Sequence, residues 1–126
     1  MTNFRSYQLS KELYKLVKEL PLKGNLKDQI NRASSSICLN LAEGNDRLTT
    51  RDRLKFFNIA LTSLREVQAI ADIEELTHIA SLSDQLAASL WNLCRHLERS
   101  LHKHGSRNTG YGTRNPGDGF RVTGYG

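Results

Sequence analysis

The sequence predicts an all-α protein, an antiparallel up-down-up-down four-helix bundle over residues 1–104 followed by a disordered Gly-rich tail over residues 105–126. Three observations predict it. Apolar residues recur at spacings of three and four through most of the chain, the period of a helix face rather than a strand. The periodic segments are joined by short breaks, and short connections make consecutive long helices antiparallel neighbours. From Gly105 onward the period vanishes, and this stretch holds seven of the chain's nine glycines.

The first helix is expected from about Phe4 to Leu20, with Leu9, Leu13, Leu16, Val17 and Leu20 on one face. Pro21 cannot continue it. The second runs from Leu26 to Glu43, with Leu26, Ile30, Ala33, Ile37 and Leu41 as a seam. Ser34, Ser36 and Ala42 are small enough to let a neighbouring backbone come near, and Gly44 suits a left-handed stop just past the helix end. Thr49, three residues before Asp52, resembles a capping box and opens a third helix reaching about Leu76. Ser81 or Ser83 can cap the fourth, whose seam is Leu86, Leu90, Leu93, Leu97 and Leu101 and which stops near Lys103 and Gly105.

The third helix is more apolar than a lone bundle needs. Leu54, Phe57, Leu61 and Leu64 form one stripe, whereas Ile59, Ile70 and Ile73 lie more than about a hundred degrees away at 3.6 residues per turn. Leu39 likewise points away from the seam of the second helix. These four residues, Leu39, Ile59, Ile70 and Ile73, are read as a subunit interface.

Composition limits the function. A chain of 126 residues is one domain and buries a sufficient core without staples. The balance of 18 Lys and Arg against 13 Asp and Glu gives +5, which favours polyanionic partners. No apolar run is long enough for a membrane span and no leader pattern opens the chain, so a cytoplasmic protein is expected. Cys38 and Cys94 read as small buried hydrophobes. The four histidines are scattered, no cysteine pair has ligand spacing, and no glycine loop cradles phosphate, so neither metal nor cofactor is expected.

Up-down topology brings the start of the first helix, the second loop and the end of the fourth helix together. That gathers Arg5, Arg47, Arg51, Arg53, Lys55, Arg99 and Lys103, offset in part by Glu43, Asp46, Asp52 and Glu98. Such an end can bind RNA or DNA through phosphates. Trp91, Arg95, Arg99 and His102 form an aromatic and basic line on the fourth helix, suited to backbone contact plus stacking. Lys11, Lys15 and Lys18 add a stripe on the first. Asn40 and Glu43, near the seam of the second helix, read as register-fixing polar groups, and Arg65 and Glu66 as partners in ion pairs.

The segments RASSSICLNLAEG, Arg32 to Gly44, and FFNIALTSLRE, Phe56 to Glu66, resemble the four helix bundle protein family, first met as proteins encoded in intervening sequences of bacterial 23S ribosomal RNA genes. The accessory variability determinants of diversity-generating retroelements share that fold. The resemblance covers roughly Phe4 to Leu101 and implies a ring-shaped homopentamer. The retroelement branch implies a non-enzymatic accessory that binds a reverse transcriptase and its RNA. RNPGDGFRV, Arg114 to Val122, resembles the closing segment of the variable proteins that these retroelements diversify. The spacings Arg99 to His104 and Arg95 to His102 resemble the Arg and His motif of HEPN-type ribonucleases, although a helix dipole also favours such residues in a last turn. No catalysis is expected.

Overall fold

A computed structural model describes residues 4–105, with side chains described to residue 102. The predictions for the Gly-rich tail fall on residues 106–126 and lie outside the described residues. Four helices follow one another: α1 (Arg5–Lys18), α2 (Gly24–Asp46), α3 (Thr50–Ile73) and α4 (Thr77–Gly105). Helix α1 packs on α2, α2 on α3, α3 on α4, and α4 returns to α1. The diagonal pairs α1–α3 and α2–α4 make no comparable contact, so the architecture is the expected up-down-up-down square.

Amphipathic spacing drives the packing. Leu13, Val17, Ile30, Ile37, Leu41, Leu64, Val67, Leu86 and Leu90 are essentially inaccessible and fill the centre of the square. Polar groups near this core bond locally or across helices. Ser6 and Ser89 hydroxyls meet at 2.7 Å between α1 and α4. The Cys38 thiol donates to the Ser10 carbonyl at 3.3 Å between α2 and α1. Between α2 and α3 the Ser36 and Ser63 hydroxyls are 2.9 Å apart, and Asn40 Nδ2 donates to both the carbonyl and the hydroxyl of Ser36 at 2.9 and 3.1 Å. Asn40 therefore orders one interhelical contact, in keeping with a structural role.

The helix ends refine the sequence reading. Thr49 does cap α3, its side chain accepting from the Asp52 amide at 3.1 Å. Lys27 holds the end of α1, its ammonium donating to the carbonyls of Val17, Lys18 and Leu20. Helix α3 stops at Ile73 through a tight C-terminal turn: the Leu76 amide donates to Ala71 O at 2.8 Å and the Glu75 amide to Asp72 O at 3.3 Å. The residue in the left-handed position of that turn is Glu75, with φ 55°. Neither Ser81 nor Ser83 caps α4, which begins earlier, at Thr77; Ser83 is fully buried within it.

Two expectations are overturned. Gly44 is not a helix stop, because α2 continues through it to Asp46 and its φ is not left-handed. A side chain is excluded there for a different reason: a Cβ would lie 2.6 Å from Phe57 Cε1 and 3.1 Å from Phe56 Cβ. At this glycine Phe56 and Phe57 of α3 press against the backbone of α2.

Ile70 does not belong to an exposed stripe; it is 4 % exposed and packs in the core. The buried positions of α3 are Leu54, Phe57, Ala60, Leu64, Val67, Ile70 and Ala71, a run of mostly three-residue steps. At 100° per residue these positions centre on Ala60, Leu64, Val67 and Ala71, with Leu54 and Ile70 about 90–110° to either side, a face wide enough to meet both α2 and α4. A stripe centred on Leu54, Phe57, Leu61 and Leu64 lies toward one edge of that face and so leaves Ile70 outside it. Leu39, Ile59 and Ile73 are exposed as expected, at 69 %, 41 % and 67 %.

Candidate nucleic-acid interface

The basic end assembles as the topology requires. The Phe4 ring at the start of α1 lies 5.8 Å from the Phe57 ring near the start of α3. Phe57 in turn meets Gly44 near the end of α2. By the same topology Arg5, Arg51 and Lys55 lie near the starts of α1 and α3 at this end, and Arg95 and Arg99 on the C-terminal half of α4, all exposed. Among the described residues none of these five forms an ion pair; the pair found is Arg47, just past the end of α2, with Glu43 on its last turn.

Two of the predicted phosphate ligands turn out to be structural. The Arg47 guanidinium is held by the Glu43 carboxylate and lies over the Phe56 ring at 4.8 Å. Arg53 is half-buried and donates from Nε to the Arg47 carbonyl at 3.0 Å, satisfying a group that the end of α2 leaves open. Together they tie the α2–α3 turn to the bundle. Lys55 approaches the same Phe56 ring at 5.8 Å, so that ring is flanked by two cations. Phe56 was absent from the predicted site because its cationic neighbour Arg47 is nine residues away, across a turn, and no local spacing announces the contact.

The α4 line has the expected form. The Arg95 guanidinium lies over Trp91 at 5.8 Å, and Trp91 is 39 % exposed. Asp84 accepts from Gln68 of α3 at 3.1 Å, which marks the α3-facing side of α4. Trp91, Arg95 and His102 follow Asp84 by seven, eleven and eighteen residues, returning to the same side at about 100° per residue. This line therefore borders α3. The side chains of Lys103 and His104 lie outside the described residues, so the Arg99 and His104 spacing has no geometry to report.

Burial holds both thiols toward their protonated form. Burial raises the Cys94 thiol to about 12, with Glu98 adding to the effect. Burial also raises Cys38, partly offset by its bond to Ser10. Among the described residues no group of His, Cys, Asp and Glu could hold a metal ion, and no helix is long and apolar enough to cross a membrane.

A family model described as "23S rRNA-intervening sequence protein" matches residues 4–103, nearly the whole of the described fold. The chain belongs to that family. The match spans all four helices, including both segments that carried the resemblance. No curated protein and no solved structure matches significantly.

Proposed function

We propose that this family member is a non-enzymatic accessory that binds RNA or DNA through the basic end and assembles with copies of itself through the outward faces of α2 and α3. The observation that carries the reading is the set Arg5, Arg51, Lys55, Arg95 and Arg99, exposed toward one end of the bundle and, among the described residues, without carboxylate partners. Cations held this way exchange solvent counterions for phosphates at little structural cost. Leu39, Ile59 and Ile73 supply exposed apolar area for self-association, and a ring of five copies, the arrangement the family resemblance implies, would multiply the basic surface.

The finer reading is an accessory of a diversity-generating retroelement, binding its reverse transcriptase and template RNA. It is supported by the likeness of RNPGDGFRV to the closing segment of retroelement targets. The other branch, a bundle encoded within a ribosomal RNA gene, is separated by gene neighbourhood and by co-purification with an adjacent reverse transcriptase. A HEPN-type nuclease is separated by incubation with labelled RNA, which should stay intact; cleavage lost in His104→Ala would establish the nuclease instead.

The binding test follows from the geometry. Reversal of Arg51, Lys55 and Arg99 to Glu leaves the Arg47 and Arg53 ties in place. It should weaken RNA binding and lower the salt slope by about two for a single strand. Unchanged affinity and slope would exclude this end as the interface.

A further inference from the structure

Helix α1 carries a second surface with its own chemistry. The pattern Tyr-x3-Lys occurs twice, at Tyr7 to Lys11 and Tyr14 to Lys18, seven residues apart. Two heptad-related positions share one side of a helix, separated by about 10 Å of rise. In the structure each lysine lies over its own tyrosine: Lys11 Nζ is 5.2 Å from the Tyr7 ring centre and Lys18 Nζ is 5.4 Å from that of Tyr14. Both rings are half-buried, while both lysines are exposed. Lys15, between the two pairs, is exposed as well. None of the three lysines is ion-paired among the described residues.

The surroundings favour a polyanion. Ser10, whose carbonyl accepts from Cys38, marks the side of α1 that faces α2. Tyr7 and Tyr14, three residues before and four after it, stand at the outer edge of that side by helical spacing. The acids of α1, Glu12 and Glu19, fall about 180–200° from Ser10, on the far side of the helix. By helical spacing the side of α2 next to Cys38 carries Ser35 and Ala42, small and uncharged, beside the tyrosines, with the acids Asp28 and Asp46 a turn or more beyond them at either end. The surface is on the opposite side of the square from the Trp91 line, which borders α3.

We infer that the Tyr7–Lys11 and Tyr14–Lys18 ladder is a binding site for single-stranded nucleic acid, with bases stacked on the tyrosines and phosphates on the lysines. A lysine resting on a ring is held by about 0.5–1 kcal/mol at an exposed site, so a phosphate can draw it away and free the ring face. Duplex offers no unpaired base to stack there. The ladder thus supplies what a cluster of charges lacks, a preference for unpaired strands, and rests on the nucleic-acid reading proposed above.

The test measures binding of a labelled single-stranded RNA and of an RNA duplex by anisotropy, for the full chain, the Tyr14→Leu variant and the Tyr7→Leu/Tyr14→Leu variant, with helicity checked by circular dichroism. Leucine keeps apolar bulk and removes the stacking face. Single-strand affinity should fall about 5–100-fold per tyrosine with duplex affinity unchanged. Equal losses on both ligands, or no loss on either, would overturn the ladder while leaving the basic-end reading intact. Absence of all binding by the unsubstituted chain would remove both. Photo-cross-linking of a 4-thiouridine strand to the unsubstituted protein does not depend on the variants folding: adducts on the peptides containing Tyr7 and Tyr14 support the ladder, whereas adducts confined to Trp91 refute it. If the variants instead lose capture of an acidic protein while keeping RNA affinity, the surface serves a protein partner and the proposal fails.

Discussion

Gly44→Ala sets two terms of opposite sign against each other. Gly44 lies inside α2, where alanine is worth about 1 kcal/mol more than glycine in helix propensity. Against this, the new methyl would stand 2.6 and 2.8 Å from Cε1 and Cδ1 of Phe57 and 3.1 Å from Cβ of Phe56. Phe57 has little room to yield, being 2 % exposed and packed against the Phe4 ring. Overpacking of a rigid contact costs about 1–3 kcal/mol, and the backbone-proximal Phe56 Cβ argues for the upper part of that range. The net expectation is destabilisation by about 1 kcal/mol or somewhat more. For a fold of this size, that lowers the melting temperature by about 4–8 °C. Thermal unfolding followed by circular dichroism measures it, at fixed protein concentration because self-association would shift the midpoint. In a double-mutant cycle, Phe57→Leu should cost less in the Gly44→Ala background than in the unsubstituted chain, since the smaller side chain makes room for the methyl. A melting temperature that rises in Gly44→Ala would show that propensity wins and that α3 does not approach α2 as described.

Three further outcomes are expected. Glu75→Gly should stabilise the protein by about 0.5–1 kcal/mol, because the left-handed conformation costs a side-chain-bearing residue more than glycine loses in unfolded-state entropy; denaturant titration reads it. Ile73→Lys should dissociate an oligomer while preserving helicity, whereas Ile70→Lys should unfold the bundle, and light scattering paired with circular dichroism distinguishes them. Cys94 should resist alkylation at pH 8 in the folded protein and react in denaturant. Its folded thiol holds a proton up to about 12, so its contribution to stability is full below the unfolded value of about 8.5 and is lost as pH rises between the two; a Cys94→Ser variant should show a shallower alkaline loss.

Much of the candidate site was legible because it depends on topology more than on side-chain detail. Once four helices alternate in direction, Arg5, Arg51, Lys55 and Arg99 must lie toward one end, whatever their rotamers. The same argument could not tell that Arg47 is committed to Glu43 and Phe56, or Arg53 to a backbone carbonyl, since these are contacts across a turn. The pairing of Tyr7 with Lys11 and of Tyr14 with Lys18 follows from helical spacing alone, since residues four apart share a helix face.

Apolar periodicity by itself determined the number of helices, their order and most of the core, because burial of one face is a property of each segment taken separately. The Thr49 cap was likewise local and readable. Tertiary structure decided how adjacent helices approach and where each buried face turns. Gly44 looked like a stop because glycine commonly ends helices, but only the position of Phe57 on the neighbouring helix shows why no side chain fits. Ile70 looked exposed because the apolar stripe was centred near Leu54, and its burial follows from α3 packing on two neighbours, α2 and α4, which widens the buried face to both sides of Leu64 and Val67. Local chemistry fixes which side of a segment is apolar; packing against another segment fixes which residue at a given depth faces it.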